Sequence, residues 1–266
     1  MASWDRKTYY YSGQGVLLTG PRDASGNAAG LTAMGNVTDL KIGIETSTLE
    51  HKDSQSGQRA VDFRLTTETK ATLTVTVENY VRDVLATALR GQSTSIAAGS
   101  VVAAPSVYYT GKVVALAHVK VSAVAVKKGA TTLTPYVNDA TDYDYKLNAE
   151  AGSIWFNDGL ITPQDQTDTG FADGDALTVD YTYQAQARVD ALTVAQPELF
   201  MRFEGLNTLD GNNPVVVEAF RFVPDPAAEL ALISGEEAAS FELTGSLLID
   251  STRSTGSKYF HQRLVR

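Results

Sequence analysis

Apolar and polar residues alternate along several stretches of the chain, and this alternation predicts β-strands. The clearest case is residues 70–78 (KATLTVTVE), where every second residue is apolar and most of the others are threonine. Residues 240–250 (SFELTGSLLID) repeat the pattern, and residues 39–44 (DLKIGI) show a shorter form of it. Because successive side chains of a strand point to opposite faces, each of these strands is expected to have one buried and one polar face.

Weaker signals predict further strands, one helix and one hairpin. Residues 79–91 carry apolar side chains at helical spacing, and Gly91 is a typical C-terminal stop. The DGNN run at 210–213 predicts a hairpin turn, and the proline-bounded segment 225–234 is compatible with a second helix. The tail 251–266 is interpreted as either a flexible end or a docking strand. The remaining predicted strands are 16–19, 63–65, 119–127, 141–146, 153–156, 176–183, 199–206 and 214–223.

Residues 46–62 interrupt the strand pattern. They are polar and show no clear periodicity, and they are longer than the usual connection of a hairpin. The sequence therefore predicts a long loop that is either functional or disordered.

The amino-acid composition and the predicted strand pattern change near residue 105. Residues 92–104 are small and polar, and Pro105 begins a new series of short predicted strands. Between 137 and 185 there are ten acidic residues and only one basic residue, Lys146. Residues 105–185 are therefore predicted to form an inserted, acidic, Ig-like β-sandwich. Residues 1–104 and 186–266 form one discontinuous domain in this interpretation. The insert is expected on an outer surface, because burying many like charges is costly.

The composition and motifs of the chain argue against several kinds of catalytic and binding sites. The chain has no cysteine, which excludes disulfides and thiolate catalysis, and its three histidines have no partner at metal-ligand spacing. No nucleophile elbow or phosphate-binding loop is present. The sequence thus predicts a protein that is not an enzyme and has no cofactor. A formal net charge of −9 also argues against a surface that grips phosphate.

Three further expectations concern membranes and metals. No apolar run approaches the roughly 20 residues of a membrane helix, and the N-terminus lacks a signal-peptide pattern, so a cytoplasmic protein is expected. The only metal hint is the closely spaced acids Asp139, Asp142 and Asp144, with Asp173 and Asp175. Solvated acids in turns are the favoured interpretation, because the calcium-loop pattern with its terminal glutamate is missing.

Residues 36–80 (NVTDLKIGIETSTLEHKDSQSGQRAVDFRLTTETKATLTVTVENY) resemble the core of phage major tail tube proteins. In that family a strand, a long loop with an SGQR-like element, a second long strand and a short helix follow one another. The element corresponds here to residues 56–59. The similarity covers residues 1–104 and, more weakly, 190–266.

The resemblance implies a tail-tube β-sandwich or barrel fold and self-assembly. Hexameric rings would stack through the long loop into a hollow tube in the virion tail, assembled in the host cytoplasm. The tube would conduct genomic DNA without sequence preference and contact tape measure, tail terminator and distal tail or baseplate proteins, but no membrane. The residues expected to bridge subunits or rings are Leu49, Glu50, His51, Lys52, Asp53, Gln58 and Arg59.

The polar faces of the two clearest strands are expected to line the lumen, since their opposite faces are apolar and must be buried. The ordinary alternative is a solvent-exposed sheet face that never meets DNA. The lumen candidates are Thr72, Thr74, Thr76, Glu78, Ser240, Glu242, Thr244 and Ser246.

Two interpretations from other classes stay open at this point. One is a carbohydrate-binding or adhesive β-sandwich protein, with residues 105–185 as its binding module. The other is a hydrolase whose catalytic residues meet only in the folded chain.

Overall fold

A computed structural model describes residues 10–55, 57–138, 143–157, 171–235 and 238–265, and in these residues the chain is mainly β. It divides into two compact units. Unit 1 comprises Met1–Ser93 and Val189–Arg266, and unit 2, Thr94–Arg188, is inserted between these two segments.

The described strands are numbered in chain order, and one helix, α1 (Arg82–Ala88), follows β4. The strands are β1 (Gly13–Pro21), β2 (Thr32–Ala33), β3 (Val37–Lys52), β4 (Val61–Val77), β5 (Gln92–Ile96), β6 (Gly99–Val107), β7 (Val113–Ala115), β8 (Val121–Lys128), β9 (Thr131–Thr132), β10 (Tyr145–Asn148), β11 (Ser153–Phe156), β12 (Ala176–Tyr183), β13 (Gln186–Asp190), β14 (Leu199–Asn207), β15 (Asn213–Pro224), β16 (Phe241–Leu247) and β17 (Phe260–Leu264).

Unit 1 is built on one antiparallel sheet in the order β2-β1-β14-β15-β16-β4-β3, with β17 paired to the first half of β15. Leu17 of β1 and Val75 of β4 belong to the same buried cluster although their strands lie far apart in this order. The sheet therefore curls over a shared core. Among the described strands no pairing joins β3 to β1 or β2, so the sheet does not close into a barrel.

Alternation in β4 and β16 decides what this core contains. Leu73, Val75 and Val77 of β4 are buried, as are Phe241 and Leu243 of β16. The two strands pair in a register that sets Val75 opposite Leu243, so that both apolar sets lie on one face. Cross-strand apolar pairs of this kind are the main unit of sheet stabilisation.

Helix α1 covers part of the same core through Val84 and Ala88. The helix was predicted over 79–91 and is confirmed, although it is shorter than the apolar spacing indicated. Its last turn closes where the amide of Gly91 donates to the carbonyl of Ala86 at 2.7 Å. Just before the helix, the ring of Tyr80 meets Phe241 edge-on at 5.5 Å.

Three predictions for unit 1 are wrong. Residues 46–62 are largely not a loop, because β3 and β4 stay paired from Val37 opposite Val77 to Lys52 opposite Val61. Residues 225–234 contain no helix. The strand predicted over 240–250 ends at Leu247, after which the chain turns. The predicted hairpin between β14 and β15 is confirmed, and the C-terminal tail supplies the docking strand β17.

Unit 2 is formed by two small sheets, β10-β11-β7 and β6-β12-β8-β9. They share one buried cluster, to which β11 contributes Ile154 and Phe156 and β12 contributes Leu177 and Val179. The strands predicted at 153–156 and 176–183 match β11 and β12. Of the strand predicted at 141–146, residues 141 and 142 lie outside the described residues.

The predicted domain boundaries need correction. The first lies at Ser93–Thr94 and not at 104–105, and the second at Arg188–Val189 and not at 185–186. The physical reason is that β6 pairs along its whole length with β12, from Gly99 opposite Tyr183 to Val107 opposite Ala176. Residues 92–96 also form a strand, β5, which pairs with β13.

Among the described residues of unit 1, Asp250 is the most buried charged group, with only 1% of its surface exposed. Its carboxylate lies 2.9 Å from Arg22 Nη2 and 3.4 Å from Arg253 Nε, and Thr252 Oγ1 donates to it at 2.7 Å. Burial alone would raise the pKa of Asp250, but the hydrogen bonds from Thr252 and Arg22 outweigh it and lower that pKa. This carboxylate ties the end of β1 to the segment after β16.

We expect Asp250→Ala to destabilise unit 1 by about 2 to 3 kcal/mol, because it removes a buried carboxylate that pairs with Arg253 and with Arg22, which keeps only its contact to Glu198. The matched control is Asp39→Ala, since Asp39 forms an exposed ion pair with Lys41 and should cost about 1 kcal/mol or less. Urea titrations followed by circular dichroism measure both free energies of unfolding. Equal losses in the two variants would contradict the buried role of Asp250.

Candidate interaction surface

The hairpin of β3 and β4 continues well past the core of unit 1. The last buried residue of β4 is Ala71, which pairs with the exposed Ile44, and beyond this pair the two strands pair only with each other as far as Lys52 and Val61. We call residues 45–70 the ribbon. All of its described side chains except Thr48 and Asp53 are exposed, and Glu45–Lys52 alone spans roughly 25 Å at the rise of a strand. The ribbon is therefore an extension with little contact to its own chain.

One extra residue in β4 controls which way the ribbon's side chains point. Ser47 pairs with Glu68, but the next residue, Thr48, pairs with Thr66, so Thr67 is a β-bulge. The hydroxyl of Thr67 donates to the carbonyl of Ser47 at 3.1 Å. A bulge reverses the alternation of the strand that carries it.

The reversal gathers apolar side chains on one side of the ribbon. Leu65 lies directly opposite Leu49, and Phe63 lies opposite His51. Leu49, Phe63 and Leu65, which we call the ribbon apolar face, are 59%, 54% and 49% exposed. The other side of the ribbon is mostly polar, with Val61 opposite Lys52 as its exposed apolar residue. It carries the pairs Thr48–Thr66 and Glu50–Arg64, and the latter form an ion pair at 3.8 Å.

The seven residues predicted to bridge subunits fall on the ribbon. Leu49, Glu50, His51 and Lys52 end β3, whereas Asp53, Gln58 and Arg59 belong to the connection to β4. The amide of Asp53 donates to the carbonyl of Ala60 at 2.7 Å and closes this connection. Ser56, which starts the SGQR-like element, lies outside the described residues.

Sequence reasoning missed Phe63 and Leu65 as candidate contact residues. They were predicted only as the start of a short strand, and that strand is confirmed as part of β4. Both side chains are exposed, because the ribbon extends beyond the core, and the bulge at Thr67 sets them on the same side as Leu49.

The predicted lumen residues of β4 and β16 form one continuous polar face. In the register of the three strands β3, β4 and β16, polar side chains lie side by side in rows. Glu78 and Ser240 lie just beyond the strand ends, and Asn36 Nδ2 donates to Glu78 at 2.6 Å. The rows are Asp39–Thr76–Glu242, Lys41–Thr74–Thr244 and Gly43–Thr72–Ser246.

Strand β3 adds two charged residues to this polar face that the sequence did not single out. Lys41 forms an ion pair with Asp39, which lies two residues earlier on the same face of β3. The hydrogen bond to Asp39, together with the charges of Asp39 and Glu242, raises the pKa of Lys41. The acids Asp39, Glu78 and Glu242 outnumber Lys41, so the polar face is net negative.

An open groove of about 770 Å³ lies beside the other face of β3 in unit 1. Its wall includes residues from β1, β3, β14, β15 and β17. Polar groups of Gln14, Asn36 and Gln262 also line it. Asp39 is a further polar residue of the lining, and its apolar residues include Leu17, Leu40, Ile42, Phe203, Val217 and Phe260.

The acids of unit 2 that were considered as metal ligands have protein partners. Asp173 accepts hydrogen bonds from the amide and hydroxyl of Thr110 at 2.7 and 2.8 Å, and Asp175 pairs with Lys128. Asp144 accepts from the amide of Thr134 at 2.6 Å, and Asp139 and Asp142 lie outside the described residues. Within the described ranges no group of three or more His, Cys, Asp or Glu is placed to hold a metal.

Unit 2 also holds a small aromatic cluster around Lys146. The ammonium nitrogen of Lys146 lies 4.5 Å from the ring centre of Tyr136 and 5.5 Å from that of Trp155. A sugar that stacked on these ring faces would compete with this ammonium group.

The described part of the chain contains no helix long and apolar enough to cross a membrane.

Acid should weaken unit 2 through its paired carboxylates. Hydrogen bonds from Thr110 lower the pKa of Asp173, and hydrogen bonds from Lys128 and Lys127 lower the pKa values of Asp175 and Asp180. A lowered folded-state pKa stabilises the fold above the unfolded pKa, about 3.9 for aspartate, and this contribution is lost as the pH falls through the folded value.

We therefore expect amide hydrogen exchange in β8 and β12 to be constant from about pH 7 to 5, once intrinsic rates are corrected, and to rise below about pH 4. Asp175→Asn should raise exchange at pH 7 and reduce the further rise in acid. The control is Glu150→Gln, whose carboxylate side chain is 80% exposed. An unchanged acid response in the Asp175 variant would contradict this assignment.

A comparison with protein families finds a match over most of the chain. No curated protein matches the sequence. A family described as "protein of unknown function UCP028589" matches residues 10–263, which include parts of both units. Because the match spans nearly the whole sequence, the chain belongs to this family.

Proposed function

We propose that the chain is the repeating subunit of a phage tail tube. In this proposal hexameric rings stack into a hollow tube through which genomic DNA passes into the host. The observation that carries the proposal is the ribbon apolar face, whose three large apolar side chains are 49–59% exposed away from the core. An apolar patch rimmed by polar residues is typical of a protein-interaction site. A two-stranded ribbon is at best marginally stable by itself in water, which favours a bound state.

The free edge of β3 supports self-assembly. β3 is an edge strand of 16 residues, and such an edge exposes unpaired backbone groups that invite pairing with another chain. Closing several copies into a barrel removes these edges, which is the tail-tube β-sandwich or barrel fold that the resemblance of residues 36–80 implies. We propose that the curled sheet of unit 1 is one segment of such a barrel.

The composition of the polar face supports a role in lining a channel for DNA. Strong DNA binding depends on Lys and Arg displacing counterions from phosphate, so a channel that releases DNA should present few of them. Lys41 is the one basic side chain in the three central rows, and it is paired with Asp39. We propose that this face lines the lumen and that its threonine hydroxyl groups and carboxylates keep the DNA hydrated.

The remaining features follow from the same proposal. Unit 2 is an Ig-like insert on the outer surface of the tube, and the protein belongs to the virion tail. Its partners are other copies of itself, with tape measure, tail terminator and distal tail or baseplate proteins at the ends of the tube. No catalytic residue and no cofactor is part of this function.

The ribbon apolar face should be required for assembly but not for folding. We expect Leu49→Asp/Leu65→Asp to keep the circular dichroism spectrum and melting temperature of the wild type, because both side chains are exposed, and to form no rings or tubes. The matched control is Thr48→Asp/Thr66→Asp, which places the same two charges opposite each other on the polar side of the ribbon. Sedimentation velocity and negative-stain microscopy measure assembly. Tubes from the leucine variant, or equal losses from both variants, would contradict the proposal.

Reversing charge on the polar face should make the lumen hold DNA. We expect Glu78→Lys/Glu242→Lys to assemble normally, since neither side chain is in the core, and to retain DNA more strongly at about 50 mM than at about 200 mM salt. The readout is the amount of labelled DNA that stays with sedimented tubes. Glu150→Lys/Glu229→Lys adds the same charge outside the polar face and serves as the control. Equal retention by the two variants would place the polar face away from the DNA path.

A further inference from the structure

The strand register of unit 1 gathers basic side chains on the face of β14, β15 and β17 that is turned away from the core. Arg202 pairs with Glu218, and Glu218 pairs on its other side with His261. Their chain neighbours Met201 and Ala219 belong to the buried core cluster. Because successive side chains of a strand point to opposite faces, Arg202, Glu218 and His261 form a row on the outer face of the sheet.

A pocket of about 390 Å³ includes this row in its lining. Its wall is completed by the connection between β1 and β2 and by the segment after β16. Among the described residues that line it, Glu218 is the one acid, whereas four residues are basic. These are Arg202, Arg253, His261 and Arg263. The pocket is thus locally cationic in a chain whose formal net charge is −9.

Glu218 holds three of these basic groups in place. Its side chain is only 10% exposed, and one of its oxygens accepts from Arg202 Nη1. The other oxygen lies 2.6 Å from Arg263 Nη2 and 2.8 Å from His261 Nε2. Arg202 has a second partner in Glu204 at 2.6 Å, but among the described residues Glu218 is the one acid paired with Arg263. A single buried carboxylate therefore positions several cationic groups without matching each of them.

Arg253 adds a further guanidinium group from the segment after β16. This group lies over the ring of Phe220, 3.6 Å from the ring centre, and His261 meets the same ring at 5.2 Å. The acid partner of Arg253 is Asp250 at 3.4 Å, which also pairs with Arg22. Stacking on a ring fixes the plane of a guanidinium group, whose N–H groups lie in that plane and stay able to donate.

The arginines of the pocket keep unused donors. A guanidinium group has five N–H donors. Described residues accept from two of those of Arg202, through Glu204 and Glu218. They also accept from two of those of Arg263, through His261 and Glu218. The remaining N–H groups are available to a bound anion.

We propose that this pocket binds a phosphate-type oxyanion, either free or as the phosphoryl group of a small molecule. Guanidinium groups held in fixed positions suit oxygen-rich anions. A tetrahedral oxyanion offers up to four oxygens to donors from several directions, whereas a carboxylate offers two. The side-chain amide of Asn27 adds a neutral donor to the lining.

The size of the pocket leaves room beside the oxyanion. Its volume lies in the range of small-molecule sites, roughly 300–1,000 Å³. Leu31 and Phe200 give the lining an apolar part that the rest of a small phosphorylated compound would contact. The residues of the pocket belong to neither the ribbon nor the polar face of β3, β4 and β16, so the site is independent of the proposed function.

Isothermal titration calorimetry of the purified chain with inorganic phosphate, at an ionic strength kept constant with sodium chloride, tests the site. We expect saturable binding at one site per chain. Arg263→Gln should weaken it about tenfold or more, because a charged hydrogen-bond donor is lost. The matched control is Lys258→Gln, which removes the same charge from an exposed residue outside the lining and should leave the Kd unchanged.

A second pair of variants leaves every ion pair of the pocket in place. Ala28 is exposed and lines the pocket, so Ala28→Asp puts a carboxylate in its wall. This carboxylate should abolish phosphate binding, because it repels the anion and competes for the guanidinium groups. Ala24→Asp adds the same charge at an exposed residue of the same connection outside the lining, and it should bind phosphate like the wild type. Circular dichroism melting checks that all four variants are folded.

Glycerol phosphate and acetate, titrated in the same way, identify the ligand class. Tighter binding of glycerol phosphate than of inorganic phosphate would support the site with a phosphorylated small molecule as its ligand, and the reverse order would support it with the free anion. No saturable phosphate binding, or equal affinities in all variants, as for an adventitious ion only, would overturn the proposal. Acetate that binds as tightly as phosphate would overturn it too, as would a duplex oligonucleotide that binds through Arg263 far more tightly.

Discussion

The structure of unit 1 depends on the long pairing of β3 with β4, and within it on the bulge at Thr67. Between the bulge and the core, in residues 37–44 and 71–77, the apolar side chains of both strands lie on the face of the sheet that is turned to the core. Beyond the bulge, Leu65 and Phe63 turn to the opposite side while the backbone ladder continues. A hydrophobic cluster is thereby built on an element that has no core of its own. The position of Leu65 and Phe63 on the same side as Leu49 depends on this one inserted residue.

Three distinct surfaces thus belong to a single sheet. One face of β4 and β16 forms the core with helix α1, and the other face presents threonine and acidic side chains in register. The free end of the same hairpin presents the ribbon apolar face. Burial of the first face stabilises the monomer, whereas the described side chains of the other two surfaces lie outside the buried core. In the proposed tube, substitutions on these two surfaces should therefore affect assembly and DNA passage more than stability.

The sequence predicted those parts of the fold that depend on local alternation. β11, β12 and β14, the hairpin turn after β14 and the polar and apolar faces of β4 were all visible as patterns of apolar residues. It could not predict β5 and β6, because their small Gly, Ser, Ala and Thr residues show no apolar alternation and the strands depend on pairing with β13 and β12. The ribbon was mistaken for a loop for a similar reason. Its strands face water on both sides, so neither face needs to be apolar.

The candidate site was predicted only in part. Leu49 to Asp53 were singled out through the resemblance, but the direction of Phe63 and Leu65 depends on a bulge that no composition rule reveals. Asp39 and Lys41 joined the polar face only when the register of β3 against β4 was known. The buried ion cluster at Asp250 was likewise invisible, since it unites residues distant in sequence.

The most direct test is electron microscopy of the purified wild-type chain over a range of concentrations. If the exposed ribbon and the free edge of β3 are contacts between copies, the protein forms rings with six-fold symmetry that stack into hollow tubes. The tube wall then places the polar face of β4 and β16 toward the lumen. A protein that stays monomeric and monodisperse at the highest concentrations would contradict the tail-tube proposal.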